Sequence, residues 1–402
     1  MQVTVIPSKA AGQISAPPSK SMAHRLLISA GLSKGESVIR GISHCEDVLA
    51  TIDCLTALGA KCTVDGDTVT VVGTDVTAAT PKQALFCRES GSTLRFLVPI
   101  ALLSGKETVL RGAPPLLKRP MGIFETLCRE EGLFFEQTEH GITVKGPLSS
   151  GIYTLPGNVS SQFISGLLFA LPLTNGNSEI RLIPPVESRS YIALTLSALH
   201  TFGIDAGWKD DCTLTVTGNG QYRATDTAVE GDYSNAAFLD AFALLNGDVL
   251  VTGLQENSLQ GDRVYKKHFR ALQKGAPTIS IADCPDLGPI LFTLAAALNG
   301  ATFTDTHRLR IKESDRVACM KAELEKFGAK LDIEENSVTV HKNELHAPTE
   351  PLYGHNDHRI VMSMAILASC CGGTIEGAEA VAKSFPDFFE KISALGIQVQ
   401  IN

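Results

Sequence analysis

Residues 55–73 read LTALGAKCTVDGDTVTVVG. This is the tail of an amphipathic helix, a glycine, a run of alternating strand residues, a polar turn and a second strand. The pattern returns along the chain. LCREEGLFFEQTEHGITVKG begins at Leu127, LHTFGIDAGWKDDCTLTVTG at Leu199 and LEKFGAKLDIEENSVTVHK at Leu324. ISALGIQVQIN closes the chain, and LQKGAPTISIAD at Leu272 is a weaker copy. The glycines of the six copies are Gly59, Gly132, Gly203, Gly275, Gly328 and Gly396, spaced 73, 71, 72, 53 and 68 residues apart. A period of about 70 residues predicts about six copies of one α/β unit.

The helices between the hairpins fit this reading. Val317, Met320, Leu324 and Phe327 fall on one face of SDRVACMKAELEKF. Val48, Ile52, Leu55 and Leu58 do the same in EDVLATIDCLTAL, which carries acids in its first turn. Six units divide naturally into three and three. EGDYSNAAFLDAF, from residue 230, opens a new helix after the third hairpin. The expected domains are therefore 13–229 and, in two pieces, 1–12 with 230–402. Strand-like QVTVI near the N-terminus is expected to complete the second domain, and the two crossings to form a two-strand hinge.

Composition narrows the function. The 402 residues are 44% hydrophobic and 19% charged, as in a folded protein of two or three domains. The net charge of −8, from 35 Lys+Arg against 43 Asp+Glu, argues against a nucleic-acid partner. FISGLLFALPL at 163–173 is too short to span a bilayer and carries Pro172, and MQVTVIPSKAAGQ has no apolar core of a signal peptide. Ten cysteines without a CxxC pair predict reduced thiols in a cytoplasmic protein, not a disulfide frame or a zinc site. Walker A, GxGxxG and HExxH strings are missing from the sequence. GLSKG at 31–35 matches GxSxG but follows a helix, so it is no nucleophile elbow.

Eight short polar clusters remain, several placed just before apolar runs. They are SKSMAHR at 19–25, ESGSTLR at 89–95, LKRPMG at 117–122, GNVSSQF at 157–163, ESRSY at 187–191, IKESDR at 311–316, NDHR at 356–359 and AKSFPD at 382–387. A helix N-terminus offers unpaired N–H groups, and cations and hydroxyls beside it make an anion site. Taken singly, each serine reads equally well as a cap and each cation as a solvated side chain. Together they suit ligands carrying several negative charges. IKESDR puts Lys312, Glu313, Asp315 and Arg316 within five residues. It reads either as a capping box with a surface salt bridge or as a carboxylate held among cations for proton transfer. Asp286 in CPDLGP is a second such carboxylate, with an N-cap as its plain alternative. His24 has no chemical role in this reading; it is expected either to pack or to lie on a helix surface.

In order along the chain, PPSKSMAHR, SGSTLR, LKRPMG, SSQF, KESDR, NDHR and KSFPDFF resemble the 5-enolpyruvylshikimate-3-phosphate synthase family, from about residue 13 to Phe388. The resemblance implies an α/β fold of the α+β type. It has two similar domains of three βαβαββ repeats each, inside-out α/β barrels joined by a two-strand hinge, with the active site in the cleft between them. It also implies a reaction. The enolpyruvyl group of phosphoenolpyruvate moves to the 5-hydroxyl of shikimate 3-phosphate by addition and elimination, and phosphate leaves.

By matching position, Lys20, Gly91, Arg119, Gln162, Arg316, Arg359 and Lys383 are expected around phosphoenolpyruvate. Lys20, Ser21, Arg25, Ser160, Ser161, Gln162, Ser188, Tyr191, Asp286 and Lys312 are expected around shikimate 3-phosphate. Asp286 is the implied base on the 5-hydroxyl, and Glu313 the implied proton relay at the methylene carbon, with Lys20 as a competing donor. The resemblance implies no metal and no cofactor, two small-molecule partners, no nucleic acid or membrane, and a cytoplasmic monomer of aromatic amino-acid biosynthesis.

Three positions depart from the family pattern. Glu89 stands where many members have asparagine, and it is expected to point away from the substrate or to pair with Arg88 or Lys20. ESRSY lacks the proline often found before its tyrosine. Arg308 replaces an asparagine of some members. The nearest rival is enolpyruvyl transfer to UDP-N-acetylglucosamine, whose enzymes typically carry asparagine after the first lysine and a loop cysteine as acid. Here Ser21 and SSQF favour shikimate 3-phosphate. A non-catalytic, repeat-built binder of RNA or phosphorylated partners is the rival of another class, and the acidic net charge speaks against it.

Overall fold

Five of the six repeats form a small four-stranded sheet of one fixed strand order. The computed structural model describes residues 1–402 apart from Ala79, Thr80 and Lys82. Two compact units result, Pro18–Glu230 on one side and Met1–Pro17 with Gly231–Asn402 on the other. The chain begins in the discontinuous unit with β1 (Gln2–Ile6) and β2 (Ala11–Ser15).

The unit Pro18–Glu230 holds three repeats. The first comprises α1 (Lys20–Gly31), β3 (Glu36–Arg40), α2 (Glu46–Leu58) and the hairpin β4 (Lys61–Asp65) and β5 (Thr68–Val72). The second comprises β6 (Leu85–Phe86), α3 (Gly91–Ala101), β7 (Glu107–Arg111), the short α4 (Pro114–Leu117), α5 (Gly122–Glu130) and the hairpin β8 (Phe134–Thr138) and β9 (Gly141–Lys145). The third comprises β10 (Ile152–Pro156), α6 (Ser161–Ala170), β11 (Ser178–Ile183), α7 (Arg189–Thr201), β12 (Ala206–Trp208) and β13 (Thr213–Val216).

At the end of this unit β14 (Thr227–Ala228) returns to pair with β3, supplying the opening strand that the first repeat lacks. The three sheets then run β14-β3-β5-β4, β6-β7-β9-β8 and β10-β11-β13-β12. Strand alternation gives each sheet one wet face: Val69 and Val71 on β5 are buried, while Thr68 and Thr70 are not. The helices that open the repeats are apolar on nearly every side, and α3 and α6 are buried almost throughout. They pack closely at Gly166, where a Cβ would lie 2.5 Å from the Arg95 carbonyl oxygen, so only glycine fits there.

The other unit continues with α8 (Tyr233–Leu245), β15 (Asp248–Thr252) and α9 (Tyr265–Lys274). Next come β16 (Thr278–Ser280), α10 (Gly288–Ala297), β17 (Ala301–Thr304), α11 (Arg316–Lys326), β18 (Leu331–Ile333) and β19 (Ser337–Val340). It ends with β20 (Leu352–Tyr353), α12 (His358–Cys371), β21 (Gly373–Glu376), α13 (Phe388–Ala394) and β22 (Gln398–Ile401). The sheets β16-β17-β19-β18 and β20-β21-β1-β22 keep the same order, with β1 standing in for the last hairpin strand. The buried helices here are α8, α10 and α12.

Two details differ from the sequence reading. The fourth repeat is truncated. β15 pairs in parallel with β2 alone, and α9 leads past Gly275 straight into β16, the opening strand of the next sheet. The missing hairpin accounts for the short 53-residue spacing between Gly275 and Gly328. The first crossing also comes later than residue 12. Ala11–Ser15 pairs along its whole length with Asp248–Thr252, so the chain leaves this unit only after Pro17. Among the described residues, no helix is long and apolar enough to cross a membrane. All ten cysteines are free, and five of them are buried.

Candidate active site

The polar clusters fall at helix starts, and one residue of each of several clusters does serve as a cap. Ser19 accepts from the Met22 N–H at 3.4 Å to cap α1, and Ser90 accepts from the Thr93 N–H at 3.2 Å to cap α3. Ser160 caps α6, Asp315 caps α11 and Asp357 caps α12. The cap alternative is thus correct for these residues. The residues next to them, Lys20, Gly91, Ser161, Arg316 and Arg359, begin the helices or lie in their first turn, where the N–H groups and the positive end of the helix dipole gather.

In the unit Pro18–Glu230 the clusters of the three repeats are tied together. Lys20 Nζ lies 2.7 Å from Asp47 Oδ2, with both side chains largely buried. Gly91 sits beneath a polar group. A Cβ there would meet Arg119 Nη1 at 2.7 Å, with Arg95 Nη1 at 3.5 Å and Gln162 Oε1 at 3.7 Å. Arg95 Nη1 donates to Gln162 Oε1 at 2.7 Å, and Gln162 Nε2 donates to Ser92 Oγ at 2.9 Å. The missing side chain at Gly91 therefore leaves space beside three polar side chains.

Arg25 joins α1 to the start of α7. Its guanidinium donates to Thr195 Oγ1 at 2.8 Å, to the Ser21 carbonyl at 2.6 Å and to the Tyr191 carbonyl at 3.0 Å. Burial pushes its pKa down to about 10. Ser188, the N-cap of α7, is buried and holds a left-handed φ of 54°. Next to it, the Arg189 guanidinium lies 4.8 Å over the ring of Trp208, the chain's single tryptophan.

His24 is fully buried in the hydroxyl chain that links these helices. Its Nδ1 lies 2.7 Å from Thr51 Oγ1, which lies 2.7 Å from Thr93 Oγ1, which donates to Ser90 Oγ at 2.7 Å. Burial lowers its pKa well below the ordinary value, with Lys20 and Arg25 adding to the effect, so the imidazole is neutral. Of the two roles expected for it, burial fits packing and excludes the helix surface.

In the other unit Arg316 is the hub. It is 1% exposed, so the surface-salt-bridge reading of IKESDR does not hold. Its Nε lies 2.8 Å from Asp357 Oδ2, its Nη2 2.7 Å from Glu313 Oε2, and its Nη1 3.0 Å from Asp286 Oδ1. Burial works against its charge, but Asp357, Glu313 and Asp286 outweigh that and raise its pKa above the ordinary range. Asp286 is no N-cap. It lies in a short 3₁₀ turn at Pro285–Leu287 and also meets Arg359 Nη2 at 3.1 Å and Lys312 Nζ at 3.3 Å. Burial lowers the Lys312 pKa, Asp286 opposes this, and Arg308 and Arg316 add to it. Lys383 Nζ donates to the Asn356 carbonyl at 2.6 Å, beside the start of α12. Behind the cluster the buried Asp262 accepts from Ser234 Oγ. Burial, helped by the Asp286 charge, pushes the Asp262 pKa up to about 6.

The structure thus gathers Lys20, Gly91, Arg119 and Gln162 with their neighbours in one unit, and Asp286, Lys312, Glu313, Arg316 and Arg359 in the other. Sequence reasoning missed Asp47, Arg95 and Asp357. All three lie near helix starts, in EDVLATIDCLTAL, ESGSTLR and NDHR. Asp47 looks like a first-turn acid favoured by the helix dipole, Arg95 like a solvated helix residue and Asp357 like a cap. Their roles depend on partners 27, 67 and 41 residues away: ion pairs for Asp47 and Asp357, and a hydrogen bond to the Gln162 amide for Arg95. Among the described residues no group of three His, Cys, Asp or Glu side chains is placed to hold a metal ion.

Comparison with known proteins agrees with these features. The sequence profile of the family described as EPSP synthase (3-phosphoshikimate 1-carboxyvinyltransferase) matches residues 5–392. The 3-phosphoshikimate 1-carboxyvinyltransferase of Clostridium kluyveri is 36% identical over 424 aligned positions, covering 99% of this chain and 98% of the relative. That of Clostridium beijerinckii is also 36% identical, covering 98% and 97%. Two solved structures share the fold. EPSP synthase from Acinetobacter baumannii aligns at a TM-score of 0.80 and 24% identity, covering 100% of this chain and 99% of the other. The enolpyruvyl transferase NikO from Streptomyces tendae aligns at 0.79 and 14%, covering 99% and 98%. The chain belongs to the EPSP synthase family and is an enolpyruvyl transferase of the shikimate pathway.

Proposed function

We propose that the residues of these clusters bind phosphoenolpyruvate and shikimate 3-phosphate and carry the enolpyruvyl group to the 5-hydroxyl. Phosphoenolpyruvate is assigned to Lys20, Gly91, Arg119, Gln162, Arg316, Arg359 and Lys383. Shikimate 3-phosphate is assigned to Lys20, Ser21, Arg25, Ser160, Ser161, Gln162, Ser188, Tyr191, Asp286 and Lys312. The enzyme is proposed to act as a cytoplasmic monomer.

One observation carries the reading. A single carboxylate, Asp286, is held by Lys312, Arg316 and Arg359, all three of them cations assigned to substrate anions. Before substrate binds, Asp286 occupies the cations that phosphate and carboxylate groups would take. When phosphoenolpyruvate draws the guanidinium groups toward itself, Asp286 loses positive neighbours and its basicity rises. The base is then strongest when the electrophile is present. Asp286 takes the proton of the 5-hydroxyl as its oxygen bonds to the central carbon of phosphoenolpyruvate. Phosphoenolpyruvate also draws Arg316 away from Glu313, 2.7 Å distant, so this partly exposed carboxylate takes up a proton from water and relays it to the methylene carbon. The tetrahedral adduct then expels phosphate while a proton leaves the new methyl group, regenerating the double bond. Fixed cations around the departing phosphate stabilise the charge that develops on it.

Trp208 offers a test of the acceptor. Shikimate 3-phosphate bound near Ser188 and Tyr191 would disturb the Arg189 guanidinium over the indole ring, and emission should change saturably with its concentration. UDP-N-acetylglucosamine should leave emission unchanged. The opposite pattern would contradict the assignment.

A further inference from the structure

Glu323 lies on α11, seven residues beyond Arg316, and its side chain is 2% exposed. One carboxylate oxygen accepts from the Tyr353 backbone N–H at 2.8 Å, and the other lies 2.7 Å from His355 Nε2. The two bonds grip the chain on either side of Gly354, where β20 turns toward α12. That turn is strained. His355 and Asn356 have consecutive left-handed φ values of 48° and 53°, a conformation that persists only where the surroundings enforce it. Gly354 is itself closed in, since a Cβ would lie 2.7 Å from both the Gly377 carbonyl oxygen and Val361 Cγ2.

The same turn delivers several charged groups of the candidate site. The Asn356 carbonyl receives Lys383, Asp357 receives Arg316 and Ser314, and Arg359 reaches Asp286. Helix α11 therefore holds the turn at two points, by Arg316 at its start and by Glu323 about two turns later. Neither His355 nor Glu323 is among the residues assigned to a substrate.

We propose that His355 is a positioning residue for the phosphoenolpyruvate end of the reaction: its imidazolium, clasped by Glu323, holds the strained 354–357 turn so that Asp357, Arg359 and Lys383 stay in register with Arg316. This rests on the assignment of Arg316, Arg359 and Lys383 to phosphoenolpyruvate. The titratable groups facing His355 are Cys319 and Glu323 on α11, with Lys326 2.9 Å from Glu323, and Tyr353 on β20, its ring centroid 6.1 Å from the imidazole. Hydrogen bonding with Cys319 and with Glu323 raises the imidazole to about 9, against the opposing effect of burial. Because the folded value lies above the ordinary 6.5, the clasp contributes fully below about pH 6.5 and is lost as the pH climbs through about 9.

The test measures KM for each substrate against pH in the whole chain and in His355→Gln, together with histidine-ring NMR. In the parent, KM for phosphoenolpyruvate should rise with a midpoint near pH 9. His355→Gln should already show about a tenfold higher KM for phosphoenolpyruvate at neutral pH, the scale of one lost charged hydrogen bond, with little change for shikimate 3-phosphate. Its midpoint near pH 9 should be gone. An unchanged KM, or the same midpoint in the variant, overturns the proposal. If the parent turns over neither substrate, the assignment of the site fails, and the clasp is judged by NMR alone. His355 should then titrate near 9 in the parent and fall toward 6.5 in Glu323→Gln. A parent His355 that titrates near 6.5 overturns the clasp, whether or not Glu323→Gln folds.

Discussion

Glu313→Gln is expected to lower kcat by about 100- to 10,000-fold, the usual range for losing a general acid or base, while the dissociation constant of shikimate 3-phosphate stays within about twofold. The amide has the shape of the carboxyl group but cannot pass a proton to carbon. Glu313 is 19% exposed, so its carboxylate is not sealed inside the protein as Asp357 is. Losing its charge also weakens the contact with Arg316 Nη2, but Asp357 and Asp286 still hold that guanidinium. Most of the residues proposed to hold shikimate 3-phosphate belong to Pro18–Glu230, which is why binding should survive. Asp286→Asn should slow turnover in the same way, and it should also shift KM for phosphoenolpyruvate, because Arg316, Arg359 and Lys312 all lose a charged partner. Single-turnover kinetics with Trp208 emission as the binding signal separate the two effects. A Glu313→Gln enzyme with parental turnover would refute the relay.

Arg316→Leu should have the largest effect on stability. Leucine fills part of the space but leaves Asp286, Glu313 and Asp357 facing one another without their common cation. Asp357 is fully buried, so its charge has no water to fall back on. Removing one partner of a buried pair costs about 3–5 kcal/mol, far more than the pair itself contributes against an apolar replacement of both partners. In a unit of this size that lowers the unfolding midpoint by about 10 °C. Calorimetry should show the transition of the unit carrying Arg316 moving down while that of Pro18–Glu230 stays in place. If both transitions stay within about 1 °C of the parent, the hub role of Arg316 is wrong. Adding Asp357→Asn to Arg316→Leu should recover part of the loss, because it removes the most deeply buried unpaired charge.

Much of the fold was legible because its signals are local. A helix end, a glycine with left-handed backbone and a hairpin recur within about 20 residues, and Gly59, Gly132, Gly203, Gly328 and Gly396 all have positive φ. Gly275 is extended instead, with φ of 166°, and the hairpin after it is missing. The 53-residue spacing carries that information, although the residues around Gly275 still resemble a weak copy of the whole motif. The crossing at Pro17 was hidden for a different reason. β2 buries only Ile14 among its five residues, so alternation gives almost no sign that AGQIS is a strand. The site divides the same way. Ser19, Ser90 and Asp315 were readable as caps because a cap bonds within three residues. The pairing of Lys20 with Asp47, of Arg95 with Gln162 and of Glu323 with His355 is made by packing between distant segments, and no spacing in the chain announces it.

The central claim is that this chain moves an enolpyruvyl group from phosphoenolpyruvate to shikimate 3-phosphate. Phosphate release from phosphoenolpyruvate, measured with shikimate 3-phosphate and with UDP-N-acetylglucosamine as separate acceptors, tests it most directly. Release with shikimate 3-phosphate alone is the predicted result. Release only with the UDP-sugar, or with neither acceptor, would contradict it.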